Sequence, residues 1–429
     1  MRKVLFVISI IFSLKSFAQN PSPALPQKEA ILIMNGTAHI GNGQIIQNSA
    51  IGIKDGKIVL VADATLIKLD KEAYKIIVDA SGKQVYPGFI NCNSNLGLTE
   101  VDAIRSTRDF NETGEFNPNV RSIIAYNTDS KIPQTLRSNG VLLAQTVPQG
   151  GVISGQSSVV ELDAWNWEDA AYKMDEGIHI NWPRMYTTLN NPNETEEIQK
   201  QKIQNNLNAV ELIFSEAKTY SLNSSPAEKN LKYEAMRGLF NGSKKLYVHC
   251  DYVREIVSAI NMVKRFGIKM VLVDGADSFR VTDLLKENNI PVILGRIHTL
   301  PSREDDDYDL PFRLPFLLKQ GGVVFAISIE SSWGARNVMF NAGTASAYGL
   351  TKEEALASIT STPAKILGID DKVGSLVVGK DATLFISEGD ALDMRTNKVT
   401  KAFIRGKDIN LDNIQSQLYR KYMTKYGLN

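Results

Sequence analysis

Six polar residues each interrupt an otherwise apolar run: Asn93 and Asn95 in "VYPGFINCNSNLG", His179 in "GIHINW", His249 in "LYVHC", Asp274 in "KMVLVDG" and Glu330 after "GVVFAISI". Imidazole nitrogen and carboxylate oxygen can ligate a divalent ion, and a carboxylate pair can divide general acid and general base work between its members. Asparagine amides are poor zinc ligands, and the oxygen-rich remainder of the set suits a hard ion such as Mn²⁺ or Mg²⁺ better. Asp274 and Glu330 make the sharpest claim. Buried like charges repel, so one takes up a proton unless a cation or His249 compensates.

Eight apolar runs carry or neighbour these residues. They are "VYPGFINC", "GVLLAQTV", "SSVVEL", "GIHINW", "LYVHC", "KMVLVDG", "IPVILGR" and "GVVFAISI". Helical patterns separate several of them. Val253, Ile256, Val257, Ile260 and Val263 share one helical face with Gly267 as a stop, and Thr351 with Glu354 forms a capping box. Eight strands alternating with helices over about 280 residues predict an α/β fold, a TIM-like (β/α)₈ barrel. A doubly wound open sheet is the alternative. In a barrel, the C-terminal strand ends form the active face, and all six residues fall there. Asn91, Asn93 and Asn95 should then share one face of the first strand.

Short alternating apolar runs separated by Asn-Gly, Gly-Asn-Gly and Asp-Gly fill "AILIMNGTAHIGNGQIIQNSAIGIKDGKIVLV", and a matching stretch, "VGSLVVGKDATLFISEG", lies near the C-terminus. Those pairs accept the positive φ of tight hairpins. Both termini are expected to build one small β-sandwich beside the barrel. The expected segments are 19–28 linker, 29–86 and 369–410 sandwich, 87–368 barrel and 411–429 C-terminal helix.

The first 18 residues read as a signal peptide: a basic start, an eleven-residue apolar stretch, and Ser16 and Ala18 at the small-residue positions before Gln19. Eleven residues fall well short of the roughly 20 a spanning helix needs. The expectation is an exported, periplasmic or extracellular chain without a membrane span. Arg2, Lys3 and Lys15 lie within that segment and carry the net charge from −2 to the full chain's +1. So balanced a charge favours no nucleic-acid partner. Cys92 and Cys250 sit at ends of different strands and are expected as buried thiols rather than a disulfide.

With these motifs in view, the sequence resembles the amidohydrolase superfamily, and within it imidazolonepropionase-like members. The resemblance rests on "VYPGFINCNSNLG", "GVISGQSSVVEL", the "VHC" strand, "LVDG", "ARNVMFNAGTASAYGLTKEEALASITSTPAKILGI" and "VGSLVVGKDATL". It implies a metal-dependent barrel hydrolysing amide-type C–N bonds, with a terminal β-sandwich. It also implies that Asn93 and Asn95 stand at the places of two first-strand metal histidines. His179 stands at a bridging lysine, His249 at a retained histidine, Asp274 at a sixth-strand histidine and Glu330 at the water-activating aspartate.

Three readings follow from that substitution pattern. The first is a non-catalytic relative binding a small molecule in the barrel mouth, or a partner subunit as a homodimer or as a heterodimer with a metal-competent relative. The second is a hydrolase with one divalent ion on Asp274, Glu330 and His249. The third is a metal-free hydrolase using Asp274 and Glu330. A binuclear zinc centre is not expected in any of them. Gly155 and Gln156, in a glycine-rich turn whose N–H groups could face the mouth, and His298, after the seventh strand, are candidate ligand contacts. The acidic stretch "SREDDDYDL" lacks the ligand spacing and glycine of a calcium loop.

Overall fold

The computed structural model describes residues 22–187, 194–301 and 303–428; the segment 1–18, expected to be a signal peptide, lies outside the described residues. No helix among the described residues is long and apolar enough to cross a membrane.

Two sheets organise the chain. The first takes β1 (Ile31–His39), β2 (Ile45–Lys54), β3 (Lys57–Asp63), β4 (Ile76–Asp79) and β5 (Gln84–Pro87) from the N-terminal part of the chain. The second is the barrel: β6 (Phe89–Ser94), β7 (Val141–Thr146), β8 (Ile153–Glu161), β9 (Ala171–Asn181), β10 (Lys245–Cys250), β11 (Met270–Asp274), β12 (Val292–Leu294) and β13 (Phe325–Ile327). The chain then returns to the first sheet with β14 (Leu384–Ser387), β15 (Val399–Ile404) and β16 (Lys407–Asp408).

The expected sandwich is one continuous sheet curled on itself, because β5 bridges β1 on one side and β14 on the other. The segment leading into β14 closes the curl, with Gly379 N–H donating to Ile58 O in β3 (2.8 Å) and Leu376 N–H to Ile40 O just past β1 (2.9 Å). Ile33, Ile51, Ile53, Val85, Leu384 and Phe403 fill the space between with almost no exposed surface.

The barrel strands run in the order β6 to β13. One strand departs from the expected βα repeat. β8 is antiparallel to both β7 and β9. Only residues 147–152 separate β7 from β8, too few for a parallel crossover, which takes a dozen or more residues. The mouth therefore receives the N-terminal end of β8. Helix Val253–Phe266 buries Ile256, Ala259, Ile260 and Val263 and stops at Gly267 with φ 72°, and Thr351 and Glu354 form the capping box. Cys92 and Cys250 are buried free thiols.

The seam between β6 and β13 is closed by side chains as well as backbone. Asn91 Nδ2 donates to Ile329 O (2.9 Å) while its Oδ1 accepts from Ile329 N (3.0 Å). Just beyond, Asn95 N donates to Glu330 O (3.0 Å).

Candidate functional site

His179 and His249 come to the mouth from adjacent parallel strands, in a register that pairs His179 with Tyr247 and His249 with Asn181. His179 is fully buried, and its Nδ1 lies 2.9 Å from His249 Nε2. Burial, reinforced by His249, holds its pKa well below the usual histidine value, so the ring stays neutral. Its Nε2 is buried without a hydrogen-bond partner.

Beneath it lies a polar floor. His179 stacks flat on Tyr247 at 4.6 Å between ring centres. The Tyr247 hydroxyl donates to Glu176 Oε2 (2.7 Å), and Glu176 Oε1 accepts from Ser157 Oγ (2.6 Å) and Gln145 Nε2 (2.5 Å). Gln145 Oε1 in turn accepts from Asn93 N (3.0 Å). Glu176 is thus buried but fully engaged, which fixes the height and tilt of the His179 ring. Gln145, Glu176 and Tyr247 went unread in the sequence. Their one signal was Tyr247 lying two residues before His249, on the same strand face.

Above the histidines stand two carboxylates. Asp274 Oδ2 is 3.8 Å from His249 Nδ1, an ion-pair distance too long for a hydrogen bond. Asp274 adopts φ 69° and Asn93 φ 44°, left-handed backbone that Asn and Asp tolerate better than other side chains. Glu330 accepts a hydrogen bond from Gln149 Nε2. The expected buried carboxylate pair is an open one, with Glu330 exposed and the Asp274 side chain 44% exposed; partial desolvation in the mouth, then the charge of Asp274, still raises the Glu330 pKa, with His249 and Gln149 opposing.

The sign of that shift gives an expectation. A raised folded-state pKa means the folded protein holds this proton more tightly than the unfolded chain. Its stabilising contribution is full below the unfolded value of about 4.3 and lost as pH rises through the folded value. Glu330→Gln should therefore raise the melting temperature at pH 7, and the gain should vanish below about pH 4. An equal gain at both pH values would assign it to packing instead.

The other sequence candidates are dispersed. The expectation that Asn91, Asn93 and Asn95 share one face fails, because the register slips between Asn91 and Ser94 and strict alternation ends there. Asn91 is spent on the seam described above, and Asn95 Oδ1 accepts from Ser332 N (2.8 Å). Gly155 has φ 139°, and a Cβ there would come within 2.7 Å of Val120 O, so it admits the 110–121 segment against β8. Gln156 pairs in register with Ile178, one residue off the His179 face, and its side chain accepts from Lys244 Nζ. The structure does not bring it to the histidine pair. His298 Nε2 lies 2.7 Å from Thr344 Oγ1, against helix Val338–Ala347. "SREDDDYDL" is held by arginines: Arg303 binds Asp277 in a fork (2.8 and 2.6 Å), and Arg280 and Arg303 flank Asp306.

Does this donor set fit the metal that the resemblance implies? Among the described residues, no group of three or more His, Cys, Asp or Glu stands close enough to hold an ion. The histidine pair points the same way. Two imidazoles on one tetrahedral zinc keep their nitrogens about 3.3 Å apart, given bonds of about 2.0–2.1 Å. At 2.9 Å the facing nitrogens of His179 and His249 share a proton instead.

A model of the amidohydrolase family matches residues 155–409. Among curated proteins, the chain is 46% identical over 71 residues to imidazolonepropionase of Shewanella oneidensis, a match covering 15% of this chain and 17% of that protein. It is 21% identical over 357 residues to amidohydrolase tasK of Hapsidospora irregularis, covering 74% of this chain and 35% of that protein. The matches thus span about a sixth to a third of those relatives' lengths. Among solved structures, an amidohydrolase from Thermotoga maritima MSB8 superposes with a TM-score of 0.77 at 24% identity, covering 88% of this chain and 99% of that one. An adenosine deaminase from Xanthomonas campestris with bound zinc gives 0.53 at 13% identity, covering 95% and 100%. At these identities the likeness is one of fold.

Proposed function

Because the chain belongs to the amidohydrolase family, we propose that it is an exported member whose barrel mouth binds a small-molecule ligand or a partner without metal-assisted hydrolysis. One observation carries this reading. The facing nitrogens of His179 and His249 are spent on each other at 2.9 Å rather than directed at an ion. Neutral amides at Asn93 and Asn95 add support, since they occupy the places that the resemblance assigns to two further imidazoles.

The mouth keeps its polarity. His249, Asp274 and Glu330 still present one imidazole and two carboxylates around a fixed ring, a geometry suited to holding a polar ligand by hydrogen bonds. The family's hydrolysis of C–N bonds depends on a metal that lowers the pKa of bound water and polarises a carbonyl. The donor set gives that step little to rest on.

Metal content of the mature protein, purified without chelator or histidine tag and measured by inductively coupled plasma mass spectrometry, tests the proposal. After incubation with zinc or manganese, less than about a tenth of an equivalent per chain is expected, with no change in melting temperature on adding chelator. About one equivalent, lost on Asp274→Ala, would overturn the proposal in favour of a remodelled mononuclear hydrolase.

A further inference from the structure

Opposite the mouth, the N-terminal ends of β10 to β13 surround a cavity of about 610 Å³. Its floor is apolar: Met270, Val271, Leu285, Ile290, Val323 and Ile366 are each at most 5% exposed. Around the floor stand five lysines, Lys245, Lys264, Lys269, Lys286 and Lys365, and no aspartate or glutamate lines the cavity.

Part of that charge has a structural use. Lys264, Lys286 and Lys365 lie in the last turns of helices Val253–Phe266, Thr282–Glu287 and Ser361–Leu367. Helix Leu310–Gln320, capped by Gly321, also ends beside the cavity, which Gly322 lines. Each helix C-terminus carries roughly half a negative charge, so four ends offset about two of the five ammonium groups. The remainder is not answered by ion pairs: none of the five lysines is paired with a carboxylate among the described residues. Lys245 Nζ instead donates to Ile366 O, and Lys269 Nζ to Gly242 O (3.2 Å). Burial lowers the Lys245 pKa, with Glu176 and Asp370 opposing and Lys173 and Lys269 reinforcing, as expected for an ammonium short of counter-charge.

We propose that this cavity binds a small amphipathic anion, a carboxylate or phosphate monoester whose apolar body covers the floor while its head meets the lysines. The volume lies within the range of small-molecule sites, and an apolar wall with a few convergent charges is their usual build. Charge complementarity sets the sign of the ligand, and the buried floor sets its amphipathic character. The site is separate from the mouth and does not depend on what the mouth does.

Isothermal titration of the full mature chain at low salt tests this, using octanoate and octyl phosphate as probes, octylammonium as the charge-reversed control and inorganic phosphate as the head alone. One equivalent of octanoate or octyl phosphate is expected, whichever binds more tightly identifying the head group, with inorganic phosphate weaker. Lys269→Glu with Lys286→Glu, both exposed positions, should weaken binding by about tenfold or more, and the Gln pair by less. Glu330→Gln should leave it unchanged. Octylammonium binding as tightly as octanoate, no loss in the Lys→Glu pair at an unaltered melting temperature, a loss in Glu330→Gln instead, or no binding of either anionic probe would each overturn the proposal.

Discussion

Asn91→Leu should destabilise the protein by about 2–6 kcal/mol in denaturant unfolding followed by circular dichroism. The side chain is fully buried and meets both backbone groups of Ile329 across the seam. Leucine is similar in size but leaves Ile329 N–H and C=O without partners, each costing about 1–3 kcal/mol when buried. Asn91→Asp can keep both contacts only by taking up a proton at this buried site, so its destabilisation should grow as pH rises. A loss below about 1 kcal/mol for Asn91→Leu would mean that the backbone contacts around Asn95 and Glu330 hold the seam by themselves.

Asp163→Ala is the second large effect, at about 3–5 kcal/mol in the same measurement. Arg137 and Asp163 form an ion pair with side chains only 5% and 3% exposed. Asp163 Oδ2 also accepts from Ala24 N (2.8 Å), tying the N-terminal segment to the barrel. Burial already depresses the Arg137 pKa, and Asp163 is the chief group opposing that. Removing the carboxylate strands a buried guanidinium. Replacing both partners, as Arg137→Met with Asp163→Leu, should recover most of the loss, because a buried pair and a well-packed apolar pair are of comparable stability. If the double variant is as unstable as the sum of the singles, the pair is not the source of the effect.

These two sites also mark the limits of reading this sequence. His179, His249 and Asp274 were legible because each breaks an apolar strand near its C-terminal end, and strand periodicity is local information. The asparagines were legible as unusual but not by role. Their spacing of two promised one face, and a register slip with left-handed backbone at Asn93 cancelled it. Which of them would meet Ile329, 238 residues away, depends on how the barrel closes, and no window of sequence carries that. Gln156 was placed at the mouth by a glycine-rich turn, but its side chain points to Lys244 because it is out of phase with His179 across the ladder. The reversal of β8 had a cue in its six-residue approach, which the strand count alone concealed.

The curled terminal sheet has a consequence in time. β5 pairs with β14, and roughly 300 residues must be synthesised between the two. At about 5–20 residues per second, the edge of β5 waits about 15–60 s for its neighbour, far longer than hairpins need to form. Throughout that interval Val85 and the apolar faces of β1 and β2 have no opposing layer. A nascent chain in this state is a natural client for a holding chaperone, and a truncation before Leu384 would keep that edge open permanently.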